Sequence, residues 1–81
     1  MRIQVDCRNG DPRAFYLGTR QLHVMRVIER ASEASVRHFR VKVADGRVFV
    51  LSHDLASGDW LLVRVHAHYK PSQGRPSGML A

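Results

Sequence analysis

Between residues 36 and 68 apolar and polar positions alternate more regularly than anywhere else in the chain. V-R-H-F-R-V-K-V precedes Asp45-Gly46, V-F-V-L-S-H follows it, and W-L-L-V-R-V-H-A-H comes after Ser57-Gly58. Residues two apart share one face of a strand, so these runs predict three antiparallel strands with tight connections. Asp-Gly between alternating runs is a strong hairpin signal. Its register stays open. A two-residue turn pairs Val43 with Val48 and Val41 with Val50, and gathers His38, Arg40, Lys42, Phe49 and Leu51 on the opposite face. A three-residue loop with a glycine bulge instead moves Phe49 and Leu51 to the face of Phe39, Val41 and Val43. A one-residue slip exchanges the faces of a whole strand.

Earlier segments carry weaker versions of the same pattern. Ile3, Val5 and Cys7 alternate with Arg2, Gln4 and Asp6, which predicts a short strand. Asn9-Gly10-Asp11-Pro12 is a turn cluster, and Gly18-Thr19 ends the apolar segment Ala14–Leu17. Arg20–Arg30 fits two periods: Leu22, Val24, Arg26 and Ile28 alternate, while Leu22, Met25 and Ile28 have helical spacing. Its β-branched content favours a strand. Ala31–Ser35 and Asp54–Asp59 read as a loop and a turn. The quartets Val48–Leu51 and Trp60–Val63 are apolar on both faces, as in strands covered on both sides. They predict a sheet that curls into a small barrel, is covered by the N-terminal segment, or pairs with another chain.

Composition narrows the class. A chain of 81 residues is one domain, and 44% hydrophobic residues place it among globular proteins. Past Tyr69 the sequence K-P-S-Q-G-R-P-S-G-M-L-A has no periodicity, so the expected organisation is a β domain over 1–68 and a disordered tail over 69–81. No apolar run approaches the length of a membrane span. The first residues lack the apolar core of a secretory signal. Cys7, the single cysteine, has no internal disulfide partner, so the expected compartment is the cytoplasm.

Charge brings in the candidate partners. The formal charge is +6, from 13 basic and 7 acidic residues, and only Lys42 and Lys70 are lysines. Arginine suits bidentate contacts with carboxylate or phosphate, and GC-rich bacterial codon usage produces the same bias. Arg40 and Lys42 share a face. The even positions of the last run group Arg64 with Trp60, Leu62 and His66. Cations and aromatics on one sheet face are how small β folds hold single-stranded nucleic acid, so Arg40, Lys42, Arg47, Arg64 and Trp60 are the candidate contacts for nucleic acid or for a protein partner. The commoner reading of such cations is a solvated face that blocks edge pairing, and of Trp60 a core or rim anchor. His66 and His68 lie two apart, and His38 and His53 are cross-strand neighbours in the two-residue register. Such histidines make a remote zinc site, unaccompanied by a Cys-rich or Asp-rich ligand pattern. Cys7 has no fixed base or oxyanion pattern beside it. No catalytic constellation, cofactor motif or small-molecule site is legible.

The order of motifs has a resemblance. Pro12-x-x-Phe15, Gly18-x-Arg20, Val24-x-x-Val27-Ile28, His38-Phe39-Arg40-Val41, Asp45-Gly46 and Asp54-Leu55-x-Ser57-Gly58-x-Trp60 occur in sequence. This resembles an uncharacterised small bacterial β domain found alone and at the C-terminus of Y-family-polymerase-like proteins. The similarity spans roughly residues 12–66, and this chain lacks the tryptophans that the domain has near Leu17 and Ala31. The resemblance implies a β fold, a bacterial cytoplasmic setting and an accessory role in DNA transactions.

The expectation is an all-β antiparallel meander of five to six strands, curled or partly closed into a small barrel. In function it is a non-catalytic accessory or protein-interaction module, with another protein or a second copy of the chain as the candidate partner. The alternative is weak, non-specific nucleic-acid binding linked to DNA repair. Metal binding through histidines is the remote reading.

Overall fold

The computed structural model describes residues 1–66; the tail 69–81 with Lys70, and His68 at the domain's expected end, lie outside the described residues. Six antiparallel strands follow one another around a closed barrel: β1 (Arg2–Arg8), β2 (Asp11–Leu17), β3 (Arg20–Glu33), β4 (Val36–Val43), β5 (Val48–Asp54) and β6 (Trp60–His66). The meander expected from the alternating runs is therefore complete, and the N-terminal segment supplies the strands that close it. Among the described residues no helix is long and apolar enough to cross a membrane.

Connections follow local turn chemistry. Asn9 and Gly10 both take positive φ (53° and 83°) between the paired residues Arg8 and Asp11. This is the two-residue turn whose twist matches that of its strands. The turn is shorter than the Asn9–Pro12 cluster suggested, because Asp11 and Pro12 begin β2. Pro12 is tolerated there since β2 carries an extra residue, Arg13, at a bulge opposite Asp6 and Cys7. The expected loop over Ala31–Ser35 shrinks likewise. Strand β3 runs on to Glu33, and only Ala34-Ser35 turn the chain back to Val36.

Ala34 pays a steric penalty at φ 54°. A non-glycine residue there is strained by about 1–2 kcal/mol, partly offset by the about 0.5–1 kcal/mol of chain entropy that glycine adds to the unfolded state. Ala34→Gly is therefore expected to raise the unfolding free energy by about 0.5–1 kcal/mol. Urea unfolding of the two proteins checks this; a lower midpoint for the variant would contradict it.

The Asp45-Gly46 hairpin takes the three-residue loop. The Gly46 amide donates to the Val43 carbonyl at 3.0 Å, and the Val43 amide to the Arg47 carbonyl at 3.0 Å. Gly46 sits at φ 93°, where a side chain would be strained. Val41 is thereby set opposite Phe49 and Phe39 opposite Leu51, so both β5 residues turn inward.

Phe15, Phe39, Val41, Phe49 and Leu51 are completely or almost completely buried, and Ile3, Leu22, Val43 and Trp60 complete the core. Phe15 and Phe49 meet edge-to-face across the barrel, with ring centroids 5.0 Å apart, a favoured aromatic geometry. Trp60 packs against Phe39 at 5.5 Å and stacks on His53 at 4.1 Å.

Long β3 serves two neighbours. Its first residues pair with β2 as far as Ala14↔His23, and from Val24 on it pairs with β4. The bulge at Met25 lets Val27 join Leu22 and Val24 in the core, and the bulge at Ile28 sets Glu29 on the outer side opposite Arg40. The mixed strand and helix spacing of Arg20–Arg30 is thus a doubly bulged strand. Where β2 and β3 part, a bidentate ion pair bridges them: Arg30 Nε and Nη2 donate to the Asp11 carboxylate at 2.9 and 2.6 Å. The Arg30 hydrogen bonds hold the Asp11 carboxyl below the usual aspartate range. The stabilisation is complete above the unfolded value of about 4 and is lost as pH falls through the lower folded value. Asp11→Asn is accordingly expected to melt below the parent at neutral pH and together with it near about pH 2. A gap of equal size at both pH values would remove the ion pair from the acid response.

Candidate interaction face

Cross-strand pairing on the outer surface forms three rows. The first runs Arg26, Lys42, Val48, His66; the second Glu29, Arg40, Val50, Arg64; the third Ala31, His38, Ser52, Leu61, with Val48 and Ser52 themselves buried beneath their neighbours. Facing residues in a sheet share a side, so Arg26, Arg40, Lys42 and Arg64 lie on one surface. Neighbouring cations are about 5–10 Å apart on strand spacing, within roughly a Debye length at physiological salt, and their potentials add. Arg40 is paired with Glu29 at 3.2 Å. Arg26, Lys42 and Arg64 make no ion pair among the described residues.

Arg64 reaches this surface through a bulge. Leu51 pairs with Leu62 and Val50 with Arg64, which leaves Val63 as the extra residue on β6. The even-face grouping of Trp60, Leu62, Arg64 and His66 is therefore corrected. Trp60 and Leu62 turn inward, and Arg64 and His66 turn outward. Trp60 is only 6% exposed and belongs to the core, not to a stacking platform. Arg47 is separated as well. It shares the side of Phe49, holds its guanidinium 5.2 Å from that ring, and donates to Asp45 at 2.8 Å. Three of the five candidate contacts, Arg40, Lys42 and Arg64, are brought together, and Arg26 joins them. Sequence alternation had placed Arg26 with Leu22 and Val24; the Val24-x-x-Val27 spacing inside a β-branched run was the available signal of a bulge.

The surface is shallow. A depression between Glu29, His38, Arg40 and Val50 holds about 140 Å³, below the range of ordinary ligand pockets. The face suits a macromolecule better than a small substrate.

The histidines do not meet as the two-residue register would have them. His38 is opposite Ser52 on the outer face, and His53 is opposite Arg37 on the inner side. Among the described residues no group of three His, Cys, Asp or Glu side chains is placed to share a metal ion. Cys7 is exposed. Its thiol is pushed up by partial desolvation first, then by the carboxylates of Asp6 and Asp11. It is thus held protonated at neutral pH, the opposite of an activated nucleophile.

Strand β6 also has an open edge. Its pairing with β1 comprises Arg2↔Leu61 and Ile3↔Trp60, and the Leu62 amide donates to the Met1 carbonyl at 2.7 Å. From Val63 on, β6 has β5 on one side and no strand on the other among the described residues. Val63 and Val65 are 51% and 44% exposed along it. No family model matches this chain, and no curated protein or solved structure shows significant similarity to it.

Proposed function

We propose that this barrel is a non-catalytic docking module, working in the bacterial cytoplasm, that presents the open half of β6 and its cationic neighbours to a partner protein. The observation that carries the reading is the edge itself: among the described residues Val63–His66 pair on one side only, and Val63 and Val65 are about half exposed beside it. Unpaired edges are ordinarily shortened, bulged away or covered by charge, because they template further pairing. Here a single cation, Arg64, guards a segment with two exposed valines. A photo-crosslinking residue at position 63 or 65, in cells of the source organism, is expected to give discrete adducts. The same residue at Arg8, at the far end of β1, or at Arg13 on β2 is expected to give none. Equal yields from all four positions, or no adduct from β6, would sink the reading.

A second reading is supported by the convergence of Arg26, Arg40, Lys42 and Arg64. With Trp60 in the core, nucleic acid would be held through phosphates alone, without base stacking, and so without sequence preference. The three cations outside ion pairs set an expected slope of log affinity against log salt of about −2 to −3. Anisotropy with single- and double-stranded DNA measures it; no binding at about 50 mM salt removes this reading. The resemblance to a domain of Y-family-polymerase-like proteins supports the same direction.

A further inference from the structure

Edge and charge together specify more than an unspecified partner. Past the bulge, Val65 shares the side of Phe49, while Arg64 and His66 share the outer side with Val50 and Val48. An incoming strand would therefore meet two different environments on alternate residues. One set would lie beside Val65. The other would lie beside Arg64, with Arg40 and Lys42 two strands further in. Strand addition takes its affinity from main-chain hydrogen bonds and its selectivity from alternate side chains.

We infer that the β6 edge accepts an extended, acidic segment of a partner protein, in which apolar residues alternate with Asp or Glu. This rests on the docking reading above and adds the chemistry of the occupant. The apolar residues continue the side of Val65, and the carboxylates face Arg64, about one strand spacing away. A second copy of the chain fits the edge poorly. Face-matched antiparallel pairing of two Val63–His66 segments sets Arg64 directly opposite Arg64 of the other chain in one register and diagonal to it in the other. Like charges directly opposite are destabilising, and each chain carries a formal charge of +6. Nucleic acid would engage the cations but leave the open backbone and both valines unused.

The test uses the whole chain and labelled peptides of about six residues, the usual length of a strand. One alternates valine with glutamate, another valine with lysine. A third is the glutamate peptide with N-methyl groups on the amides of one edge. Anisotropy gives the affinity and amide chemical shifts give the location. The glutamate peptide is expected to bind at least about tenfold more tightly than the lysine peptide, with shifts centred on Val63–His66. Methylation of the edge that faces β6 is expected to abolish binding. Arg64→Glu, at an exposed position, is expected to reverse the order of the two peptides. Equal affinities, indifference to Arg64→Glu, or no binding up to about 1 mM protein would overturn the proposal. So would sedimentation showing a dimer that Val65→Pro dissolves, which assigns the edge to a second copy. Displacement of the glutamate peptide only by oligothymidylate, with no shifts on β6, would assign the face to nucleic acid. The crosslinking experiment keeps the two levels apart. Adducts from positions 63 and 65 without peptide binding would retain docking and reject the acidic strand; loss of both results would reject both.

Discussion

Phe49→Ala is expected to cost about 3–5 kcal/mol of unfolding free energy. That is a large part of the roughly 3–10 kcal/mol that a domain of this size commands. Phe49 is fully buried, meets Phe15 edge-to-face and lies under the Arg47 guanidinium. Removing the ring therefore opens a cavity and strips two partners at once. The neighbouring outer-face variant Val50→Ala, at a half-buried position, is expected to cost about 1 kcal/mol. Urea unfolding followed by far-ultraviolet circular dichroism measures both. The comparison tests the hairpin register directly. In the two-residue register Phe49 would stand on the cationic face, and its loss would then cost no more than that of Val50.

The second large effect is expected from Trp60→Ala, at about 3–5 kcal/mol. Trp60 is buried, packs against Phe39 and stacks on His53, so its loss opens a cavity between two strands. Under plain alternation Trp60 would share the outer face with Arg64, and its removal would cost no more than about 1 kcal/mol. Deleting Val63 is the control. This residue is half exposed and is the extra one on β6. Its removal leaves Leu62 opposite Leu51 and Arg64 opposite Val50 as direct neighbours, so Trp60 and Leu62 stay inward and Arg64 stays outward. The deletion is therefore expected to cost much less than Trp60→Ala. Urea unfolding of both variants checks this; a Trp60→Ala protein as stable as the Val63 deletion would place Trp60 outside the core.

These two positions mark where reading along the chain stops. Period-two alternation identifies β4, β5 and β6 because side-chain direction in a strand follows from the local backbone alone. Asn9-Gly10 and Asp45-Gly46 locate turns because positive φ is a property of the residue itself. Apolar quartets on both faces of β5 and β6 require a second covering layer, which a flat meander cannot provide, so curling is also legible. The cationic face was only half legible. Arg40 and Lys42 share an undisturbed strand, and their grouping follows from spacing. Arg64 and Arg26 sit just past bulges, and simple alternation assigned both to the wrong side. Trp60 was ambiguous for the same reason: its strand has apolar residues on both faces, and only the phase chooses between them.

Local chemistry along the chain is thus sufficient for the strands, most of their turns and the all-β class. Phase is different, because a bulge is a mismatch between two strands and exists only when both are in place. Closing six strands on themselves requires tilt and strong local twist, and the extra residues at Arg13, Met25, Ile28 and Val63 accommodate that curvature. Their positions answer to partners remote in sequence. They decide that Trp60 is core and that Arg26 and Arg64 join Arg40 and Lys42 on the outer face, while the three-residue loop at Asp45-Gly46 decides that Phe49 is buried.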